Sequence, residues 1–285
     1  MKKILILGTY GMLGHQLFLQ LQKNFEVYGT VRKFQTKYET LFPKSRIFEN
    51  INAEEISNIE SVIQDIKPDI ILNCIGIIKQ RKTKKSQILN ISINALFPHK
   101  LAKICEEKNI KIIHFSTDCV FSGKKGNYNK TDFSDAEDLY GRTKYLGELD
   151  YPHCLTIRSS IIGPELYNKK SLWEWVLSQK GNTIEGFTEA IYSGITTVEM
   201  SNIIENIITN FPDLHGVYQI ASQSISKHHL LELINRLQNL NLNIIPSKKV
   251  ICDRSLNGSE FYKKTNYLIP NWETMIQELI NESKI

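Results

Sequence analysis

The sequence predicts an α/β fold in which a doubly wound parallel sheet is followed by a smaller C-terminal lobe. Short apolar runs alternate with amphipathic stretches through the first half of the chain, which is the pattern of βαβ units. A glycine-rich turn at 8–14 lies between the first apolar run and the first amphipathic stretch. The alternation loosens after Gly163-Pro164. We therefore expect one domain at 1–163 and a lobe at 164–285, some segments of which return to the sheet.

The apolar runs predict strands, and the 3.6-residue periods predict helices. The expected strands of the first domain are 3–7, 26–31, 46–48, 70–74, 111–116 and 155–158. The expected helices between them are 12–23, 54–66, 88–107 and 141–149. Pro98 is expected to kink the third of these helices. In the C-terminal lobe we expect helices at 171–179, 198–210, 227–239 and 272–282 and a short strand at 217–220.

Composition favours a folded globular protein. With 285 residues, 41% of them hydrophobic, the chain can bury a sizeable core, and we expect neither global disorder nor a membrane span. The five cysteines lack metal-ligand or disulfide spacing, and the N-terminus lacks signal-peptide features. These features predict a cytoplasmic protein without a metal site. The net charge of +5 favours anionic ligands, but the basic run at 79–85 has no aromatic residue, so we interpret it as a solvated loop rather than a nucleic-acid site.

The glycine-rich turn is typical of a dinucleotide-binding site. Glycines at this place let the backbone turn sharply, approach a pyrophosphate and pack a helix against a strand, while the helix N-terminus favours the anion. The spacing is G-x-x-G-x-x-G, and a tight turn without a ligand is the alternative reading. The predicted cofactor-binding residues of the turn are Gly8, Tyr10, Gly11, Met12, Leu13 and Gly14. The strand–turn–helix setting indicates a Rossmann-type sheet.

Two basic residues, Arg32 and Lys33, follow the second predicted strand. A dinucleotide site usually has an acidic residue there, which binds the ribose 2′-hydroxyl. Two cations suit a 2′-phosphate instead, so we predict NADPH in preference to NADH. The alternative is an exposed basic loop that does not contact a cofactor.

Tyr140 and Lys144 form a predicted acid–base pair. Residues four apart share one face of a helix, so the ammonium group can lie beside the phenol. A nearby cation lowers the pKa of a tyrosine towards neutrality, where general acid catalysis is most effective. Thr117, at the end of a predicted strand, could donate a second hydrogen bond to a substrate carbonyl. A Y-x-x-x-K spacing is also common on surfaces, and only its place after the glycine turn and the Ser116-Thr117-Asp118 segment favours catalysis.

With these motifs the chain resembles an extended short-chain dehydrogenase/reductase, closest to the dTDP-4-dehydrorhamnose reductase group. The resemblance rests on GTYGMLG (8–14), NCIG (73–76), STDCVFSG (116–123), DLYGRTKYLGE (138–148), TIRSSIIGPE (156–165) and DRSLNGSEF (253–261). It implies that Thr117, Tyr140 and Lys144 are catalytic, with Tyr140 and Lys144 also contacting the cofactor, and that Asn73 lies near the cofactor. It also implies that Arg254 and Asn257 bind the nucleotide diphosphate. The C-terminal lobe is then the substrate-binding lobe.

Cys119 departs from the reductase pattern, which has a tyrosine at this position. Related epimerase/reductases have a cysteine at the matching place that acts as an acid/base, so the resemblance predicts this role for Cys119; an inert buried thiol is the alternative. Such a thiol needs a partner. Lys170, or its neighbour Lys169, is the candidate, although both could be ordinary surface residues. Trp173 is predicted to line the substrate site, with helix packing as the alternative.

The resemblance implies an NADPH-dependent 4-ketoreductase of a nucleotide-diphosphate sugar. With Cys119, we expect C3 epimerisation as well and a UDP-linked product of the L-rhamnose or N-acetyl-L-rhamnosamine type. Three alternatives stay open: a plain dTDP-4-dehydrorhamnose reductase, a dinucleotide-binding regulatory subunit without activity, and a UDP-sugar C4 epimerase. The expected partners exclude nucleic acids and membranes, and the family default is a homodimer.

Overall fold

A parallel sheet forms the centre of the molecule, which the computed structural model describes over residues 1–78, 84–167 and 169–282. Across these residues, seven strands pair in the order β11-β6-β5-β4-β1-β2-β3. The strands are β1 (Lys3–Leu7), β2 (Glu26–Thr30), β3 (Ile47–Phe48), β4 (Ile70–Asn73), β5 (Lys111–Phe115), β6 (Cys154–Arg158), β7 (Ile161–Ile162), β8 (Thr183–Phe187), β9 (Ala190–Tyr192), β10 (Ile195–Thr196), β11 (Gly216–Gln219), β12 (Ile225–Ser226), β13 (Asn243–Ser247) and β14 (Cys252–Asp253). The helices are α1 (Met12–Leu21), α2 (Ile56–Ile66), α3 (Lys84–Asn90), α4 (Phe97–Glu107), α5 (Leu139–Leu146), α6 (Leu172–Ser178), α7 (Thr197–Asn210), α8 (Lys227–Gln238), α9 (Ser259–Thr265) and α10 (Trp272–Glu282).

The sheet is doubly wound, as predicted. Along β1, Ile4 and Ile6 pack into one hydrophobic core, while Leu5 and Leu7 pack into the other, because successive strand residues point to opposite faces. The chain runs outward from β1 through β2 to β3, and then from β4 in the other direction. The strand order therefore reverses between β1 and β4, and in such folds ligands bind at the carboxyl ends of the strands at that place.

The predicted helix at 88–107 is interrupted. The α3 helix passes into a π-helical segment, Ile91–Leu96, which leads into α4. Pro98 lies in the first turn of α4, directly after the π-helical segment, so the proline coincides with the change of helical hydrogen bonding. Residues 79–83 of the basic run lie outside the described residues, so the solvated-loop interpretation is not tested.

Segments after residue 164 contribute to both the sheet and a smaller region. The β11 strand pairs with β6 at the edge of the sheet, and α7 packs against α1. Short strands build smaller sheets, among them β12-β9-β14 and β13-β8. Over the residues described, no helix has the length and apolar character to cross a bilayer.

Candidate active site

The turn after β1 brings its glycines into close backbone contact. Gly8 has a φ of +82°, and its carbonyl oxygen accepts a hydrogen bond of 3.0 Å from the Gly11 amide. A Cβ atom on Gly14 would lie 2.3 Å from the Gly8 carbonyl oxygen, so only glycine allows α1 to start this close to the turn. The turn places the N-terminus of α1 at the reversal of strand order, which suits a bound pyrophosphate.

A cleft of about 530 Å³ opens beside this turn. Gly8, Tyr10 and Gly11 line it, whereas Met12, Leu13 and Gly14 are not among its lining residues. Residues of the loops after β2 and β4 also line it, among them Arg32, Lys33, Lys37, Cys74, Ile75, Gly76 and Ile77, together with residues after β3, from the α3 region and Tyr167. The cleft therefore joins a glycine turn to a group of cations, as a phosphorylated dinucleotide requires.

Asn73 supports this cleft from within the sheet. Its side chain is 1% exposed, its amide nitrogen lies 3.1 Å from His114 Nδ1, and its Oδ1 accepts a hydrogen bond from the Ile75 amide. Asn73 thus holds the loop that lines the cleft, and its place near the cofactor stays a prediction. Asn94, in the π-helical segment, holds the same loop through hydrogen bonds in both directions with the Ile77 backbone.

The carboxyl end of β5 and the start of α5 bring Thr117 beside Tyr140, and Lys144 reaches the carbonyl oxygen of Phe115, two residues before Thr117. Asp138 caps α5 by accepting a hydrogen bond from the Gly141 amide. A Cβ atom on Gly141 would lie 2.1 Å from the Cys119 carbonyl oxygen, so glycine lets α5 begin directly against the turn after Thr117. The Thr117 hydroxyl hydrogen-bonds with the Tyr140 phenol. Fold topology thus assembles the group that the spacing alone could only suggest.

The protonation of the pair differs from the prediction. Burial raises the pKa of Tyr140 above its ordinary value, against the opposing effect of its hydrogen bond with Thr117. Burial lowers the pKa of Lys144 to about 8, and its ammonium donates a 2.6 Å hydrogen bond to the Phe115 carbonyl oxygen. The expected lowering of the Tyr140 pKa by Lys144 is therefore wrong for this structure, because desolvation is the larger effect. Tyr140 holds its proton at neutral pH, which suits a proton donor.

Cys119, in the turn after Thr117, lies beside Arg254, which follows β14. Arg254 Nη1 lies 3.9 Å from Cys119 Sγ, and Arg254 Nε donates a 2.9 Å hydrogen bond to the Phe121 carbonyl oxygen. Burial and the Asp118 charge raise the pKa of Cys119 to about 12, while Arg254 opposes them. Asn257 donates a 3.0 Å hydrogen bond to Asn129 Oδ1 and so ties the segment after β14 to the loop before α5. Of these two residues, Arg254 contacts the Cys119 side chain, whereas the Asn257 side chain contacts Asn129.

The structure does not bring every predicted residue to this place. Trp173 is only 1% exposed and packs in the main core, so its predicted contact with substrate is wrong. It lies on the buried face of α6, whose opposite face is solvated. Lys170 is exposed, and its amide donates a hydrogen bond to Glu165 Oε2. On α8, His228, His229 and Glu232 place potential metal-ligating atoms within 4.8 Å of one another.

Two further residues of the site were not predicted. Asp118 accepts a 3.0 Å hydrogen bond from the Thr117 hydroxyl. Tyr192, at the end of β9, hydrogen-bonds with Ser160, and the charges of Asp118 and Cys119 both act on its phenol. Asp118 could have been found from its place in the Ser116-Thr117-Asp118 segment. Tyr192 has no such local signal, because a separate strand brings it to the site.

Fold and site together define a Rossmann-type α/β protein with a Thr-Tyr-Lys group beside a nucleotide-sized cleft. The family model described as RmlD substrate binding domain matches residues 1–166, more than half of the chain. The chain therefore belongs to that family.

Curated relatives fall into two kinds. The dTDP-4-dehydrorhamnose reductase of Salmonella typhimurium is 22% identical over 249 residues, which cover 79% of this chain and 83% of that protein. Methionine adenosyltransferase 2 subunit beta of Xenopus laevis is 27% identical over 148 residues, which cover 52% of this chain but only 42% of that protein. The chain thus spans less than half the length of the methionine adenosyltransferase subunit but most of the length of the Salmonella reductase.

Solved structures support the fold. The dTDP-4-dehydrorhamnose reductase of Bacillus anthracis, in complex with NADP, superposes with a TM-score of 0.81 at 22% identity, over 99% of this chain and 100% of that one. The Bordetella bronchiseptica enzyme WbmG, in complex with NAD and UDP, gives a TM-score of 0.80 at 14% identity, over 99% of this chain and 94% of that one. At these identities the likeness establishes the Rossmann-type architecture.

Proposed function

We propose that the protein reduces the C4 ketone of a nucleotide-linked 4-keto-6-deoxyhexose with NADPH. The observation that carries the proposal is the convergence of Thr117, Tyr140 and Lys144 beside a cleft that starts at the glycine turn. Cys74 links the two places, because it lines the cleft and the Lys144 charge acts on its thiol. The reductase relatives, which match most of their length, support the same reaction class.

The chemistry follows from the protonation of these residues. NADPH, when bound, supplies a hydride for C4. Tyr140, which holds its proton, protonates the carbonyl oxygen as negative charge develops on it. Thr117 donates one hydrogen bond in the structure, to Asp118, and would turn its hydroxyl towards the substrate oxygen. Lys144, half-protonated near pH 8, stabilises the tyrosinate that remains.

Arg32 and Lys33 are proposed to bind the 2′-phosphate of NADPH. Both line the cleft, and a hydrogen bond to a charged group contributes about 1.5–3 kcal/mol. Replacing both with alanine should weaken NADPH binding by roughly tenfold or more and leave NADH binding nearly unchanged, as measured by calorimetric titration. Lys103→Ala, at an exposed position on α4, is the control. Equal losses for the two cofactors would contradict the assignment.

The finer part of the proposal is C3 epimerisation before reduction, giving a UDP-linked product of the L-rhamnose or N-acetyl-L-rhamnosamine type. It is supported by the position of Cys119, which lies next to Asp118 and Arg254 and two residues after Thr117. A C4 ketone acidifies the C3 hydrogen, which a thiolate can remove. Lys170 remains a proposed partner for this thiol.

The test is to incubate the protein in D₂O with NADPH and UDP-, dTDP- and GDP-linked 4-keto-6-deoxy sugars, and to identify the products by NMR. We expect deuterium at C3 and an inverted C3 centre with the wild type, and neither with Cys119→Ser. Because the Cys119 pKa is about 12, exchange without NADPH should rise roughly tenfold per pH unit between pH 7 and pH 9. Unchanged exchange in Cys119→Ser would leave plain reduction as the function.

A second candidate is a dinucleotide-binding regulatory subunit. The Xenopus laevis match, over 148 residues of this chain, is the observation that favours it. A regulator would bind NADPH but consume none with any of these sugars, so the same incubations separate the two.

A further inference from the structure

Tyr192 enters the site from the small C-terminal sheet. In the parallel pair of β9 and β14, Ala190 lies opposite Cys252 and Ile191 opposite Asp253. Tyr192 and Arg254 are the next residues of the two strands, and in a parallel pair residues at matched positions point to the same face. Arg254 Nη1 lies 3.9 Å from Cys119 Sγ. The register therefore places Tyr192 on the same face as Arg254, and the Cys119 charge acts on the Tyr192 phenol.

The phenol is held in place by neighbours from three other segments. Its ring packs against the Trp272 indole, with ring centroids 5.4 Å apart. Its hydroxyl hydrogen-bonds with Ser160, which follows β6. A Cβ atom on Gly194 would lie 2.4 Å from the Tyr192 hydroxyl oxygen, so glycine leaves room for the phenol at this position. Because several neighbours hold the Tyr192 side chain near a thiol, it is positioned as a reacting group rather than as a surface residue.

The charges around the two groups assign them different roles. Burial and the Asp118 charge raise the pKa of Cys119 to about 12, but the Arg254 guanidinium beside it opposes them and favours the thiolate. Burial and the charges of Asp118 and Cys119 raise the pKa of Tyr192, so its phenol keeps its proton. Of the two, Cys119 is the group that can become a base, and Tyr192 is the group that stays an acid.

We propose that Tyr192 is the proton donor that works opposite Cys119 in C3 epimerisation, an inference that rests on the proposed function. The Cys119 thiolate removes the C3 proton, and the electron pair of the C–H bond forms an enolate with the C4 carbonyl. The Tyr192 phenol then protonates C3 on the other face, which restores the ketone with inverted configuration. Water returns a proton to the phenolate and accepts the one from the thiol, so no oxidant or reductant is needed.

The proposal is tested with Tyr192→Phe, which keeps the ring against Trp272 and removes only the hydroxyl. The variant is incubated in D₂O with NADPH and the UDP-linked 4-keto-6-deoxy sugar, or with whichever sugar of the panel the wild type turns over. Inversion at C3 should fall by about 10²–10⁴-fold. Deuterium should still enter C3 with retained configuration, because Cys119 can remove the proton and return a deuteron to the same face. Cys119→Ser should lose both.

Tyr151→Phe, an exposed tyrosine whose hydroxyl contacts His99, is the matched control and should invert C3 at the wild-type rate. Inversion that persists in Tyr192→Phe but disappears in Lys170→Met would overturn the proposal and assign the acid to Lys170. Inversion unchanged in both would overturn it as well. A wild type that consumes NADPH without exchange or inversion would refute epimerisation itself, which is a different failure.

Discussion

Tyr140→Phe is expected to lower the rate of NADPH oxidation by about 10²–10⁴-fold, the usual contribution of a general acid. The Tyr140 phenol is the proposed proton donor; it hydrogen-bonds with Thr117, and its pKa is raised, so it is protonated throughout the neutral range. Phenylalanine keeps the ring and removes the proton. The affinity for NADPH should change little, because the glycine turn and the cations of the cleft are untouched. Single-turnover kinetics and calorimetric titration measure the two quantities.

Tyr145→Phe is the matched control for this experiment. Tyr145 lies on the same helix, α5, but is 45% exposed, so its hydroxyl should not affect turnover. If Tyr140→Phe retains wild-type turnover, another group protonates the substrate. If neither the wild type nor the variant turns over any keto sugar while both bind NADPH, the regulatory subunit is the better description.

The central sheet was predictable because its signals are local. Apolar runs such as the one in β1 are typical of strands that are buried on both faces, and the glycines at 8–14 mark the tight turn between the strand and the helix. The pair Tyr140 and Lys144 was found for the same reason, since four residues on one helix fix their separation. The interruption at Ile91–Leu96 was missed because a π-helical insertion leaves the apolar pattern nearly unchanged.

Contacts between distant segments explain what the sequence could not predict. Tyr192 reaches Cys119 only because β9 pairs with β14, and neither short strand has a periodic pattern long enough to be recognised. Trp173 was placed at the site by its nearness in sequence to Gly163-Pro164, but the direction of α6 turns it into the core. Burial is the largest effect on the pKa of Tyr140, and burial is not visible from spacing.

Arg158→Met is expected to lower the free energy of unfolding by about 3–5 kcal/mol, the usual cost of leaving one partner of a buried ion pair alone. Arg158 and Glu148 are each only 6% exposed and make two hydrogen bonds, of 2.8 and 2.7 Å. Glu148 also accepts a 2.7 Å hydrogen bond from the Ser116 hydroxyl. The loss should therefore also loosen the end of β5 that leads to Thr117. Urea unfolding measures the stability.

The double variant Arg158→Met/Glu148→Leu separates the energy of the pair from the penalty of an unpaired charge. Removing both charges should recover much of the lost stability, since a buried pair often contributes little beyond its apolar replacement. Arg236→Met, which breaks a 3.0 Å pair with Glu273 whose side chains are 61% and 59% exposed, should leave stability nearly unchanged. A double variant as unstable as Arg158→Met would mean that the shape of the pair, rather than its charge balance, holds β5, β6 and α5 together. In that case we expect Ser116→Ala to lower turnover more than Arg158→Met does, because the Ser116 hydroxyl links Glu148 to the end of β5 that leads to Thr117.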